Sequence, residues 1–224
     1  MNINELDIEK DISIKKSDAL IVVDMQNDFI PGGALAVENG DQIIDDINDV
    51  AELFKEKGGQ IVFTQDWHPS DHKSFASQHE GKNPGDQYQT EGIGPILWPD
   101  HCVQGTEGAE FHSDLKSELA DAIVKKGMNP EVDSYSGFFE NDKITKTELD
   151  KKLTELNVNR IFTCGLALDY CVGFTALDGV DLGYNVYFLI DLTKGIDQPP
   201  GNISECLKKM TKKGIKFAKK ESLK

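Results

Sequence analysis

The sequence predicts an α/β fold: a mainly parallel sheet with helices on both faces, a three-layer, Rossmann-like arrangement. Three observations carry it. Short apolar, β-branched runs alternate along the chain with segments of helical periodicity. That alternation implies right-handed crossovers between parallel strands. The chain has 224 residues, 38% hydrophobic and 28% charged, enough to bury a substantial core, and no abrupt compositional shift marks a second unit. A single domain over 1–224 is therefore expected.

The first strand is ALIVVDM, Ala19 to Met25, apolar throughout as a strand covered on both faces should be, yet closed by an acid, Asp24. QNDFIPGGALAVENGD follows, rich in Gly, Pro, Asn and Asp, and reads as a loop. From Asp41 a helical pattern puts Ile43, Ile44, Ile47, Val50, Leu53 and Phe54 on one face, and Gly58-Gly59 stops it. Strands are then expected at 60–66, 122–127, 160–166 and 185–191, and helices near 147–156, from about 169 and from about 202. A short last strand falls around Ile215 to Phe217. The segment at about 67–112 breaks the pattern with many Gly, Pro, Asp and His residues. A long irregular insertion directly after a strand's carboxyl end suggests a metal- and substrate-binding role. The residues before Ile12 have no assignment and read as a flexible arm, and the basic tail KKMTKKGIKFAKKESLK reads as a solvated helix face and a final strand.

Net charge is −15, from 24 basic and 39 acidic residues spread along the chain. Such a field disfavours nucleic acid and anionic membranes as partners. The amino terminus lacks an apolar signal-like run, and no segment has 18 consecutive apolar residues, so the expected location is the cytoplasm. There is no GxGxxG and no P-loop. The four cysteines, at 102, 164, 171 and 206, have no Cys-x-x-Cys spacing, so neither a disulfide framework nor a thiolate zinc site is indicated.

Asp24, Asp66 and Lys126 lie at or near the carboxyl ends of expected strands, and Cys171 follows the next strand by about five residues. A lone acid there commonly caps a helix or meets a surface lysine, but four reactive groups on one edge suggest an activated nucleophile. Cys171 is the candidate. With Asp169 as helix N-cap it would sit in a first turn, where unpaired N–H groups and the helix dipole favour a thiolate; Asp24 could take its proton and Lys126 steady the charge. Cys164, between apolar neighbours on a strand, reads as an inert buried thiol, and Cys102 and Cys206 as structural.

All five histidines lie between 68 and 112. Any one alone reads as a solvated loop residue. Asp66 and His68, however, share one face of an extended segment, and His101 in WPDHC could add a third ligand for a divalent metal, with water or His72 completing the shell.

The blocks ALIVVDMQNDFIPGGALAV, FTQDWHP, LWPDHCVQGTEGAEFH, VKKG followed by DSYSGFF, and CGLALDYCVGFTALD together resemble the nicotinamidases (pyrazinamidases), a branch of the isochorismatase-like cysteine hydrolases, from about Ala19 to Leu192. The resemblance implies an isochorismatase-type fold and a triad of Asp24, Lys126 and Cys171, with Lys125 pointing the other way. It implies a metal, usually zinc, on Asp66, His68 and His101, with His72 at a variable position, and an aromatic slot of Phe29, Trp98 and Tyr135 for a pyridine ring. It also implies a cis peptide at Leu166-Ala167 and an oxyanion hole from the N–H groups of Ala167 and Cys171. The activity so implied is hydrolysis of nicotinamide to nicotinate and ammonia through a cysteine thioester, in NAD salvage, with a homo-oligomer left open. Other branches cleave carbamoyl or ureido amides, or an enol ether, and generally lack the Asp-x-His plus His set. A metal-stabilised binding module is the non-enzymatic alternative, and it leaves Asp24, Lys126 and Cys171 unexplained.

Overall fold

Six parallel strands run in the order β3-β2-β1-β4-β5-β6: β1 (Asp18–Val23), β2 (Gln60–Asp66), β3 (Ala122–Lys126), β4 (Arg160–Leu166), β5 (Asn185–Lys194) and β6 (Lys216–Ala218). The computed structural model describes residues 1–224. β1 is central because every residue in it is buried, as a strand covered on both faces requires. The helices α1 (Ile44–Lys57), α2 (Leu149–Glu155), α3 (Gly173–Asp181) and α4 (Asn202–Lys212) cover the two faces.

Side-chain alternation along β1 assigns those faces. Leu20 and Val22 pack into one core with Ile44, Ile47, Val50, Ala51 and Phe54 of α1. Ala19, Ile21 and Val23 pack into the other with Leu153 of α2, Ala176 of α3 and Leu207 and Met210 of α4. A 3-10 turn at Gly40–Ile43 leads into α1, so the pattern expected from Asp41 becomes α-helical only at Ile44. Gly58, at φ +75°, ends it, as a residue without Cβ readily does. Leu20 is fully buried between β1 and α1; Leu20→Ala is expected to cost about 3 kcal/mol in a urea titration, through lost burial and a residual cavity.

The amino-terminal arm and the end of β5 depart from expectation. The amino-terminal arm is not free: a 3-10 turn spans Ile3–Glu5, Ile8 bridges to Phe217 and Ile12 to Leu223. Glu9 N–H donates to the Phe217 carbonyl at 2.8 Å, so the arm shields the outer edge of β6. β5 runs three residues beyond its expected end and shifts register against β4 between Thr163 and Gly165. No helix is long and apolar enough to cross a membrane.

The chain builds outward from β1 to β2 and β3, then returns to β4 on the other side of β1. Strand order therefore reverses beside β1, the place where open α/β sheets leave a crevice at their carboxyl edge. The irregular segment 67–112 leaves β2 at that edge. It is held by bridges from His68 to Val103 and from Phe75 to Trp98.

Candidate active site

Asp24 is the first residue beyond β1, in a left-handed turn at φ +49°, and Asp66 and Lys126 are paired in register as the last residues of β2 and β3. All three are buried. The Lys126 ammonium lies 2.8 Å from Asp24 Oδ2, contacts Asp66 Oδ1, donates to the Ser134 carbonyl at 2.9 Å and reaches Cys171 Sγ at 3.5 Å. The other oxygen of Asp24 accepts from Thr64 Oγ1 at 2.6 Å. Oδ2 receives no further hydrogen bond, leaving it able to take a proton. Lys125 faces outward instead, with its ammonium 3.5 Å above the Trp67 ring.

Burial opposes the charge on Lys126, but the carboxylates of Asp24 and Asp66 outweigh it and hold its pKa well above the ordinary lysine value. Burial raises Asp24 in spite of Lys126. Burial would also raise Asp66, yet Lys126 and His68 pull it below the usual carboxylate range. Two adjacent acids thus differ in proton affinity, the higher being the better base.

The expected thiolate is not favoured at rest. Burial pushes the Cys171 thiol well above its ordinary value, against the pull of Lys126. Asp169 is not an N-cap either: the chain makes one π-turn over Leu168–Val172, Tyr170 has non-helical angles, and no side chain caps it. The carboxylate of Asp169 accepts instead from Ile196 N–H (2.9 Å), Asp197 N–H (3.0 Å) and Asn202 Nδ2 (2.9 Å). Cys171 is therefore a thiol at rest, beside an Asp24 carboxyl whose proton affinity burial raises. Cys102, Cys164 and Cys206 are buried, with thiols raised by burial.

Phe29, Trp98 and Tyr135 do line one cavity with Cys171 and Ala167. Trp98 Nε1 donates to the Tyr135 hydroxyl at 3.1 Å, which donates to the Gly94 carbonyl at 2.9 Å, so both rings are fixed by their polar ends. Tyr170 meets both edge-on, at 5.1 and 5.2 Å. The Leu166-Ala167 peptide is cis. Ala167 lines the same cavity, and its N–H donates to no protein acceptor.

Asp66, His68 and His101 bring one ligand atom each to within 4.8 Å of one another. Two tautomers can be assigned from partners. His68 Nδ1 faces the Gly127 carbonyl and His101 Nδ1 the Pro99 carbonyl, both at 2.8 Å. A carbonyl can only accept, so both Nδ1 atoms donate, and in the neutral form of each ring Nε2 presents the lone pair. Nε2 of His68 is buried, without a hydrogen-bond partner, 3.7 Å from Asp66 Oδ2. Burial and the neighbouring His68 hold His101 down to about 4, so it stays neutral. Burial lowers the His68 pKa, but the Asp66 carboxylate outweighs burial and raises it. An acid with two imidazoles fixed from behind suits a divalent cation of the zinc type, which would displace the proton from His68 Nε2. Gly127 makes the His68 placement feasible: at φ +66°, a Cβ there would lie 2.4 Å from the imidazole.

His72 differs. Its Nδ1 lies 2.7 Å from the Ser74 hydroxyl and 3.2 Å from the Ser74 N–H, and its buried Nε2 has no hydrogen-bond partner. It groups with His68 and Asp133 rather than with Asp66 and His101.

With this geometry in place, residues 18–218 match the isochorismatase domain family. The chain belongs to the isochorismatase family. Among the relatives of this isochorismatase-family chain, the nicotinamidase of Escherichia coli is 43% identical over 88% of the chain and 92% of that protein. The pyrazinamidase of Pyrococcus horikoshii, solved in complex with zinc, superposes with a TM-score of 0.74 at 43% identity, covering 91% of this chain and 99% of the other. The yeast nicotinamidase bound to the inhibitor nicotinaldehyde superposes at 0.83 with 34% identity, over 90% and 99%.

Several residues of this isochorismatase-family site escaped sequence reasoning. Gln26 clamps Asp66 by its backbone: its amide nitrogen donates to the Asp66 carbonyl at 2.7 Å and its oxygen accepts the Asp66 N–H at 2.8 Å. Asp133, buried and lining the cavity, lies beside His68 and His72. Leu35, Tyr170 and Ile196 complete the lining. An acid two positions before Tyr135 was the one local signal available for Asp133.

Proposed function

We propose that this protein is a nicotinamidase, hydrolysing nicotinamide to nicotinate and ammonia through a Cys171 thioester and supplying nicotinate to NAD salvage. The observation that carries this is the meeting of Asp24, Lys126 and Cys171 around one ammonium, with the Sγ contact at 3.5 Å, against a cavity walled by aromatic rings and by Asp66 and His101. The E. coli, Pyrococcus and yeast relatives support the substrate class.

In this mechanism Phe29, Trp98 and Tyr135 hold a flat ring and bring its carboxamide carbon to Cys171 Sγ. Asp24 takes the thiol proton as the S–C bond forms. Oxygen charge develops against the N–H groups of Ala167 and Cys171. Asp24 returns the proton to the departing amine, ammonia leaves, and the acyl group remains on Cys171. Water then attacks the thioester with Asp24 taking its proton, and Sγ leaves as nicotinate is released, regaining its proton from Asp24. Lys126 balances the charge as it moves between Asp24 and Sγ. Asp66, His68 and His101 would hold a divalent ion, zinc by donor chemistry, whose Lewis acidity when bound supplies an anchor for the ring nitrogen.

Ammonia release from purified protein tests the reading, with nicotinamide beside N-carbamoylsarcosine, before and after chelation and zinc restoration. Release from nicotinamide alone is expected, falling at least about tenfold on chelation and returning with zinc. Release from the carbamoyl amide alone would move the chain to another branch of the family.

A further inference from the structure

Nine of the eleven residues lining the cavity are buried; only Leu35 and Ile196 are partly exposed. These two also pack against both hydrophobic cores. They are the two lining residues that reach solvent, so they mark where the wall of the cavity comes to the surface. Neither sits in a helix or strand.

Leu35 is held from its own side, with its N–H on the Asp28 carbonyl at 2.9 Å. Ile196 is held from the nucleophile turn. Asp169, two residues before Cys171 and 2% exposed, accepts from the N–H groups of Ile196 and Asp197 and from Asn202 Nδ2, at 2.9, 3.0 and 2.9 Å. Tyr170 adds a bond from its hydroxyl to the Gln198 carbonyl at 2.5 Å. A carboxylate with three donors is a strong fixture for a loop that has no ladder of its own. The segment 195–202 is thereby tied to the turn that carries the thiol.

We propose that Ile196 is a specificity-determining residue, limiting the pyridine carboxamides admitted to those with an unsubstituted ring, and that Asp169 is the positioning residue that keeps it there. The inference rests on the nicotinamidase reading and deepens it. Ile196→Ala removes methyl groups from a partly exposed part of the wall and widens the cavity there. Asp169→Asn keeps the side-chain shape but replaces an acceptor oxygen with a donor, so it faces N–H groups that it cannot accept.

The test measures kcat and KM for nicotinamide and for ring-methylated nicotinamides in the wild-type chain and both variants, with thermal midpoints alongside. Ile196→Ala is expected to raise the kcat/KM ratio of methylated to plain nicotinamide by about tenfold or more, the discrimination that one or two methyl groups provide in an apolar pocket. Asp169→Asn is expected to raise KM for nicotinamide about tenfold, with a smaller change in kcat and a partial shift of the same ratio. An unchanged ratio in Ile196→Ala overturns the proposal. So does an Asp169→Asn variant that lowers only the thermal midpoint, since that is all a purely structural role predicts. A wild-type chain inactive on nicotinamide removes the underlying reading first, and this inference falls with it.

Discussion

Cys171→Ala is expected to lower kcat for nicotinamide by on the order of 10⁴-fold or more, the scale seen when a covalent nucleophile is removed, while nicotinamide binding measured by calorimetry changes little. The size of the effect follows from the site having no second nucleophile in reach. Cys164 is sealed within β4, and Cys102 and Cys206 are likewise buried with raised thiols. Cys164→Ala, outside the site, is the control: it should cost stability and leave turnover in place. The pH profile carries a second signature. Because Cys171 rests as a thiol, the reactive form requires Asp24 ionised, and burial lifts Asp24 above the ordinary carboxylate value of 3.8. Activity should therefore fall on the acid side at a pH above that value. Near-normal turnover by the alanine variant would sink the thioester route.

Lys126→Met is the second large effect, and it acts on stability as well as rate. The ammonium is wholly buried against Asp24 and Asp66, and removing one partner of a buried ionic cluster typically costs about 3–5 kcal/mol because the remaining charges are left without compensation. The loss should depend on pH in a defined direction. In the wild-type chain Asp66 is depressed, so its contribution is present above the unfolded value of about 3.9 and is lost as pH falls through the folded one. Lys126 is raised, so its contribution is present below about 10.4 and is lost as pH rises through the folded value. Between those limits the pair's contribution is level. Without Lys126, burial and mutual repulsion leave both acids with raised folded pKa values. The folded state then binds more protons than the unfolded, and stability falls as pH rises. Urea midpoints of the chelated variant should be higher at pH 5 than at pH 8, and kcat should fall by on the order of 10³-fold. Equal midpoints at the two pH values would show that the acids do not depend on Lys126.

What could be read from the chain was what repeats locally. β1, β2, α1 and α4 announce themselves through apolar period and through Gly58, because each buries a continuous face. The ends of β1, β2, β3 and β4 were legible to within a residue or two, and with them Asp24, Asp66 and Lys126, since the carboxyl edge of a parallel sheet gathers whatever follows each strand. Asp169 shows where local reading fails. Its sequence context fits a cap, but its partners are Ile196, Asp197 and Asn202, on a loop that arrives only after β5 has crossed the sheet. Leu35, Asp133 and Ile196 were hidden for the same reason: lining a cavity is a property of the assembled fold. The arm's pairing with Phe217 and Leu223 was invisible because isolated bridges leave no periodic trace.

That pairing bears on how the chain is made. Ile8 and Ile12 find their partners only in Phe217 and Leu223, and Ile14 N–H donates to the Lys224 carbonyl at 3.1 Å. During synthesis the arm emerges early and must wait, unpaired, until the residues after β6 clear the ribosome. The edge of the sheet is thus closed by a joint between the two ends of the described chain, formed after the nucleophile turn and the metal-type cluster already have their sequence in place. A nascent chain stopped short of β6 would carry every candidate catalytic residue and still present an open strand edge, the state in which recruitment by a chaperone or by another nascent chain has most to gain.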